Sequence, residues 1–191
     1  MKIHGTAKGG ALATKDFGVA FGGAAPCVEA TYGQTNTNSG RIIYASRQGI
    51  AFEPESGNDI FEKTIKSVTF KLDKDSGSPD QTIYCRVRNS DGDIVGTFGS
   101  KPATGLPAVT PAERTFDDTQ ITLSSGDMIT LEYAISSGDP IQSRIYAALN
   151  GQNYVSNAKT FVSDSGDITA WDEWHDGTEY FWMWFSCVYC E

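Results

Sequence analysis

After residue 40 the chain is built from short runs in which every second residue is apolar. In IKSVTFKLDKD, Val68, Phe70 and Leu72 alternate with Thr69 and Lys71. In QTIYCRVRNSDGDIVGTF, Ile83, Cys85 and Val87 alternate with Tyr84, Arg86 and Arg88, and Asp91-Gly92 separates this run from a second one. Alternation of period two marks strands with one face in a core, and Asp-Gly between two such runs marks a hairpin. RIIYASRQGIAF predicts one or two strands, with a loop from Pro54 to Asp59. The three prolines of SKPATGLPAVTPA predict a loop across one end of the fold. A strand on Ile121 and Leu123 meets the turn Ser124-Ser125-Gly126-Asp127, and the next strand carries Ile129, Leu131, Tyr133 and Ile135 inward. SRIYAALN, with Ile145, Ala147 and Leu149, and NAKTFVS add further strands. Helical spacing is not sustained over any window of a dozen residues, and 20 glycines and 7 prolines punctuate the chain. The expected fold is an all-β sandwich or barrel of eight or nine strands.

Two segments break the alternation. The C-terminal run YFWMWFSCVYCE is apolar on both faces: Phe181, Met183, Phe185, Cys187 and Tyr189 form one row, and Tyr180, Trp182, Trp184, Ser186, Val188 and Cys190 the other. The odd row is expected to face the interior, and the even row needs cover. Residues 1–40 are rich in Gly, Ala, Thr and Asn, and Phe17, Val19 and Phe21 form a period-two triplet that costs free energy in water. This segment reads as an extended arm lying along a sheet of its own or of a neighbouring subunit, ahead of a body at 41–191. Arm and C-terminal strand each supply what the other lacks.

At 191 residues the chain fits one domain. Its net charge of −9 opposes a nucleic-acid surface, because 15 Lys and Arg are scattered among 24 acids. The C-terminal apolar run is about half of the roughly 20 residues a bilayer span requires. Met-Lys-Ile-His-Gly-Thr lacks the apolar core of a secretory signal, so none is expected in this sequence.

The phrases SVTFKL, TIYCRVRNSDGDIVGTFGS and SGDMITLEY resemble the single jelly-roll domains of carbohydrate-binding modules, of phage and viral structural proteins and of archaeal surface proteins. The opening KIHGTAKGGALATKDFGVAF looks like the lead-in of archaeal and archaeal-virus proteins. The resemblance spans about residues 42 to 190 and implies a jelly-roll-type antiparallel sandwich on a virion or at a cell surface.

Candidate chemistry is sparse. No Gly-x-Ser-x-Gly occurs, His4 lies in the arm, and His175 sits among acids in a segment expected to be a solvated loop. Cys187 and Cys190 are three apart, which on a strand sends them to opposite faces and argues against chelation of one zinc ion. Cys187 is expected in the core facing Cys85, with Cys190 either free or bonded to Cys27. The oxygen-rich loops DKDSGSPD, NSDGD and DSGD offer Ca²⁺ ligands without the spacing of a dedicated loop, and they equally suit turns. All four tryptophans fall between 171 and 184, and Trp171 and Trp174 beside Asp172 and Asp176 form a candidate glycan platform. The expectation drawn from these features is a non-enzymatic structural subunit that binds copies of itself through Phe17, Val19, Phe21, Tyr180, Trp182 and Trp184. The rival reading is a lectin-like module that uses the tryptophan cluster.

Overall fold

The computed structural model describes residues 27–34, 39–43, 49–76, 81–108, 110–133, 144–149, 157–163, 170–173, 175–176, 179–180 and 184–191. In chain order the strands are β1 (Glu29–Gln34), β2 (Ser39–Ile43), β3 (Gly49–Pro54), β4 (Thr64–Ser76), β5 (Thr82–Arg88), β6 (Ile94–Pro102), β7 (Ala112–Phe116) and β8 (Ile121–Thr122). They continue as β9 (Met128–Tyr133), β10 (Arg144–Leu149), β11 (Ala158–Ser163), β12 (Asp172–Glu173), β13 (His175–Asp176), β14 (Glu179–Tyr180) and β15 (Phe185–Cys190). A single 3-10 turn at Ala103–Gly105 interrupts the 100–112 connection. The chain is all-β over the described residues, and its strands pair antiparallel in two large sheets that enclose a common core.

The first sheet runs β1-β15-β4-β10-β2, with β7 and β8 also on β4. β4 is its spine: 13 residues long, it pairs with four strands and sends Val68, Phe70 and Leu72 inward at 0–1% exposure. Against β15 its register slips between Val188 and Tyr189, so that Val188 opposes Ser67 while Tyr189 opposes Ile65. The slip leaves Lys66 as an extra residue and switches the inward series of β4 from even numbers to Ile65. Lys66 turns outward and meets Glu29 at 2.6 Å. Outside, Thr69 and Thr115 share a hydroxyl hydrogen bond at 2.8 Å, and Thr64 and Thr122 one at 2.7 Å.

The second sheet runs β12-β11-β3-β9-β5-β6. Val162, Ile50, Leu131 and Cys85 stand in register across it and face the core. The β5–β6 hairpin turns at Asp91-Gly92, where Gly92 takes φ +83° and Asn89 Oδ1 accepts the N–H groups of Asp91 and Asp93. The turn ahead of β9 closes through Asp127, whose carboxylate accepts the Ser124 N–H at 2.7 Å.

Phe52 of the second sheet meets Phe185 and Tyr32 of the first, with ring centroids 4.8 and 6.0 Å away. Phe70 packs on Phe116 at 6.1 Å. Each fully buried phenylalanine contributes about 1.5–3 kcal/mol.

Two expectations change, on the number of strands and on the C-terminal run. There are fifteen strand segments among the described residues instead of eight or nine, because several are two-residue pairings at sheet margins. Glu29–Gln34, assigned to the arm, is extended and forms β1 in full register with β15. The C-terminal run is not one strand, because Tyr180 pairs with His175 in a separate hairpin and β15 begins only at Phe185. Phe17, Val19, Phe21, Ile135, Trp174 and Trp182 lie outside the described residues.

β15 keeps its expected sidedness: Phe185, Cys187 and Tyr189 are buried and Ser186, Val188 and Cys190 half-buried. At its end Cys190 bonds to Cys27, 163 residues away, and the Glu191 N–H donates to the Val28 carbonyl at 3.0 Å. In the chain-entropy view, closing so long a loop raises the free energy of the unfolded chain by about 5 kcal/mol, and native cystines are worth about 2–5 kcal/mol in practice. Replacing both Cys27 and Cys190 by Ser is expected to lower stability by about 2–5 kcal/mol in denaturant titration. The parent measured in reductant should match the double variant.

Candidate functional site

On the outer face of the second sheet, charges are buried. β9 is buried at every position, with Ile129, Leu131 and Tyr133 inside and Met128, Thr130 and Glu132 on the opposite side. Glu132 is fully buried, and four donors surround its carboxylate. Oε1 accepts from Arg88 Nε at 2.6 Å and Thr130 Oγ1 at 2.8 Å, while Oε2 accepts from Arg86 Nη1 at 2.7 Å and Arg88 Nη2 at 3.2 Å. Arg88 also donates to the Gly92 carbonyl, tying the network to the hairpin turn. The Arg86 guanidinium lies 4.0 Å from the centre of the Tyr84 ring. Such a cluster fixes the register of β5 on β9, since a slip would strand a buried charge.

The same face holds Trp171. Gly49 stands in register between Ser163 and Glu132, and a Cβ there would lie 2.7 Å from the tip of the Trp171 ring. The half-buried indole therefore rests on bare backbone, and its N–H is buried without a hydrogen-bond partner. Trp184 is only 4% exposed, with Lys71 Nζ 4.6 Å above its ring on the first sheet. Each of these two rings lies against protein surface. Asp172 is exposed on β12, Asp176 belongs to β13 and Tyr180 to β14.

A groove of about 300 Å³ opens where β3 ends and β9 and β11 begin. Glu53, Pro54, Glu55, Ser56, Phe61 and Asn157 line it, closed by the Ser125-Gly126 turn. Its walls depend on left-handed backbone: Asn157 has φ +62°, Gly126 φ +86° and Gly57 φ +96°. The Asn157 side-chain amide fits against Gly57, where a Cβ would come within 2.8 Å of its nitrogen, and the Asn157 backbone carbonyl accepts the Glu55 N–H at 2.7 Å. Burial pushes the Glu53 carboxyl up; Lys159 pulls it back, and Glu55 and Glu173 push it further. Lys159 pairs with Glu55 at 2.7 Å, and that hydrogen bond holds the ammonium above its usual range.

Cys85 and Cys187 are free and buried. Burial, then Glu132, then Cys187 raise the Cys85 thiol well above its usual value, and burial pushes Cys187 up to about 12. Neither is an activated thiolate. Among the described residues no group of three or more His, Cys, Asp or Glu is placed to hold a metal ion, and no helix is long and apolar enough to cross a membrane.

The structure brings together Cys27 with Cys190, and of the four tryptophans it describes Trp171 against the second sheet and Trp184 against the first. Sequence reading missed the Glu132 network and the groove. Arg86 and Arg88 stood in an alternating strand, but their partner lies 44 residues away from Arg88.

No protein-family model and no curated protein matches the chain. Among solved structures, the clostridial cysteine protease Cwp84 after propeptide cleavage is similar, with a TM-score of 0.54 and 8% identity over 85% of this chain. The chain spans about 40% of that protein's length. At this identity the likeness shows the fold alone. It nevertheless overturns the expectation that the chain is not an enzyme, because a protease chain contains a fold of this kind and the fold gives no ground for excluding catalysis. The activity named there stays with that protein.

Glu132→Ala leaves Arg88 buried and uncompensated and is expected to cost about 3–5 kcal/mol in chemical denaturation. For Glu53, whose folded carboxyl titrates above the ordinary value of 4.5, folding favours the protonated form. Its favourable contribution is complete below that pH and is lost as pH rises through the folded value. Glu53→Gln should therefore raise the melting temperature at neutral pH, and the gain should vanish below pH 4.5.

Proposed function

We propose that the chain is a building unit of a larger assembly, in which residues 1–26 of one copy add to the β1 edge of the next. The observation that carries this reading is the position of β1: it ends the first sheet, and among the described residues it pairs with β15 alone. Val28, Glu29, Thr31 and Gly33 are exposed along it. A strand edge of this kind is a template for another chain, and main-chain hydrogen bonds supply the affinity. Phe17, Val19 and Phe21 have the alternation that an added strand requires.

Charge supports the same pairing. Residues 1–26 hold Lys2, Lys8 and Lys15 against Asp16, a net +2, which leaves −11 on the rest of a chain whose total is −9. A cationic segment is thus drawn to an acidic body. The Cys27–Cys190 bond anchors the segment where it leaves the sandwich, and a cystine suits an oxidising setting such as a virion or cell surface. With Trp184 buried, this reading takes the β1 edge as the receiving surface. On this reading the connections are of the jelly-roll kind that the sequence phrases suggest.

Light scattering tests the proposal. The full chain should form discrete higher species, and a variant lacking residues 1–24, which keeps Cys27, should be monomeric. A monomeric full chain, or assembly that survives the deletion, would sink it.

A further inference from the structure

The groove between the ends of β3, β9 and β11 has no part in that assembly. It is concave, and its lining residues carry an aromatic ring, two carboxylates, an amide and hydroxyls from three stretches of sequence, 53–61, 125–126 and 157. Convergence of polar groups around an apolar wall is the usual make-up of a small-molecule site, and about 300 Å³ is the small end of the range for such sites. We infer that this groove is a carbohydrate subsite that takes a neutral pyranose ring, with its C–H face on Phe61 and its hydroxyls among Glu53, Asn157 and Ser125.

The lining selects this class of ligand. Phe61 is half-buried and lines the groove. A pyranose offers C–H groups on its faces and hydroxyls around its rim, which matches one apolar wall surrounded by acceptors and donors. Glu53 accepts hydroxyl protons, the Asn157 amide both donates and accepts, and Ser56 and Ser125 do the same at the rim. A cation is a poorer match. Lys159 already occupies Glu55 and its ammonium also acts on Glu53, so the negative charge of the groove is partly met from within the chain. The hydrogen bond from the Glu55 N–H to the Asn157 backbone carbonyl ties two of the walls together, which limits the ordering cost of binding.

This site differs from the tryptophan cluster expected from the sequence. Its residues come from the end of β3, the loop after it, the turn before β9 and the start of β11.

Saturation-transfer difference NMR on the full chain tests it and tolerates an assembled protein. The probes are methyl β-glucopyranoside, methyl α-mannopyranoside, N-acetylglucosamine and xylobiose, and calorimetry with calcium chloride and with Nα-acetyl-lysine amide gives the cation comparison. Transfer to the C–H groups of at least one sugar is expected. Phe61→Leu should weaken it by about 3- to 10-fold through loss of the stacking face. Asn157→Gly keeps the left-handed backbone, removes the amide and should weaken the same sugar, which guards against a folding defect in the Phe61 variant. Absence of transfer to every sugar, transfer unchanged in both variants, or binding of a cation alone would each overturn the inference.

Discussion

Phe185 and Phe52 meet across the sandwich with ring centroids 4.8 Å apart, and the rest of the architecture is arranged around that contact. Phe185 opens β15, so its inward orientation fixes those of Cys187 and Tyr189 behind it. Unbroken pairing would set Tyr189 against Lys66 and carry that lysine inward, so burying Ile65 in its place requires one residue of register to be lost between Ser67 and Ile65. The bulge at Lys66 provides that, and the displaced lysine finds Glu29 on β1. A packing demand in the core thus reaches the edge strand through a backbone irregularity and a surface ion pair.

The two outer faces solve different problems. The first sheet shows solvent a polar face with paired threonine hydroxyls, ordinary for a half-exposed antiparallel sheet. The second sheet is covered over β9, so its outer side needs internal partners for every polar group. Glu132 obtains four donors, and the cost of burying three charged groups is offset by specificity of pairing between β5 and β9. Where that sheet ends, left-handed residues turn the chain away and leave the groove. Cover, charge network and groove are therefore successive zones of one sheet.

What was legible in the sequence was what depends on neighbours two residues apart. Val68, Phe70 and Leu72, then Ile83, Cys85 and Val87, announced their strands and their sidedness, and all six are buried as read. The Asp-Gly hairpin was local in the same sense. β1 was hard to read as a sheet strand, because Glu-Ala-Thr-Tyr-Gly-Gln offers only Ala30 and Tyr32 as its inward row, and its place in the sheet comes from pairing with β15. The burial of Trp184 and the seat of Trp171 on Gly49 depend on long-range packing, for which an aromatic-rich run gives no direction. The groove was invisible for a further reason. Its residues are ordinary turn residues in their own segments, and only the sheet order places them side by side.

The cystine between Cys27 and Cys190 joins positions that are already neighbours at one corner of the first sheet. Consider tension applied to the chain on the N-terminal side of Cys27 and the C-terminal side of Cys190. It travels through one sulfur–sulfur bond, and the sandwich hangs from that bond as an unloaded loop. Its strands need not be stiff along the direction of pull, and its hydrogen bonds are not sheared when the ends are drawn apart. The covalent link separates bearing a load from keeping a fold, so that neither has to be compromised for the other.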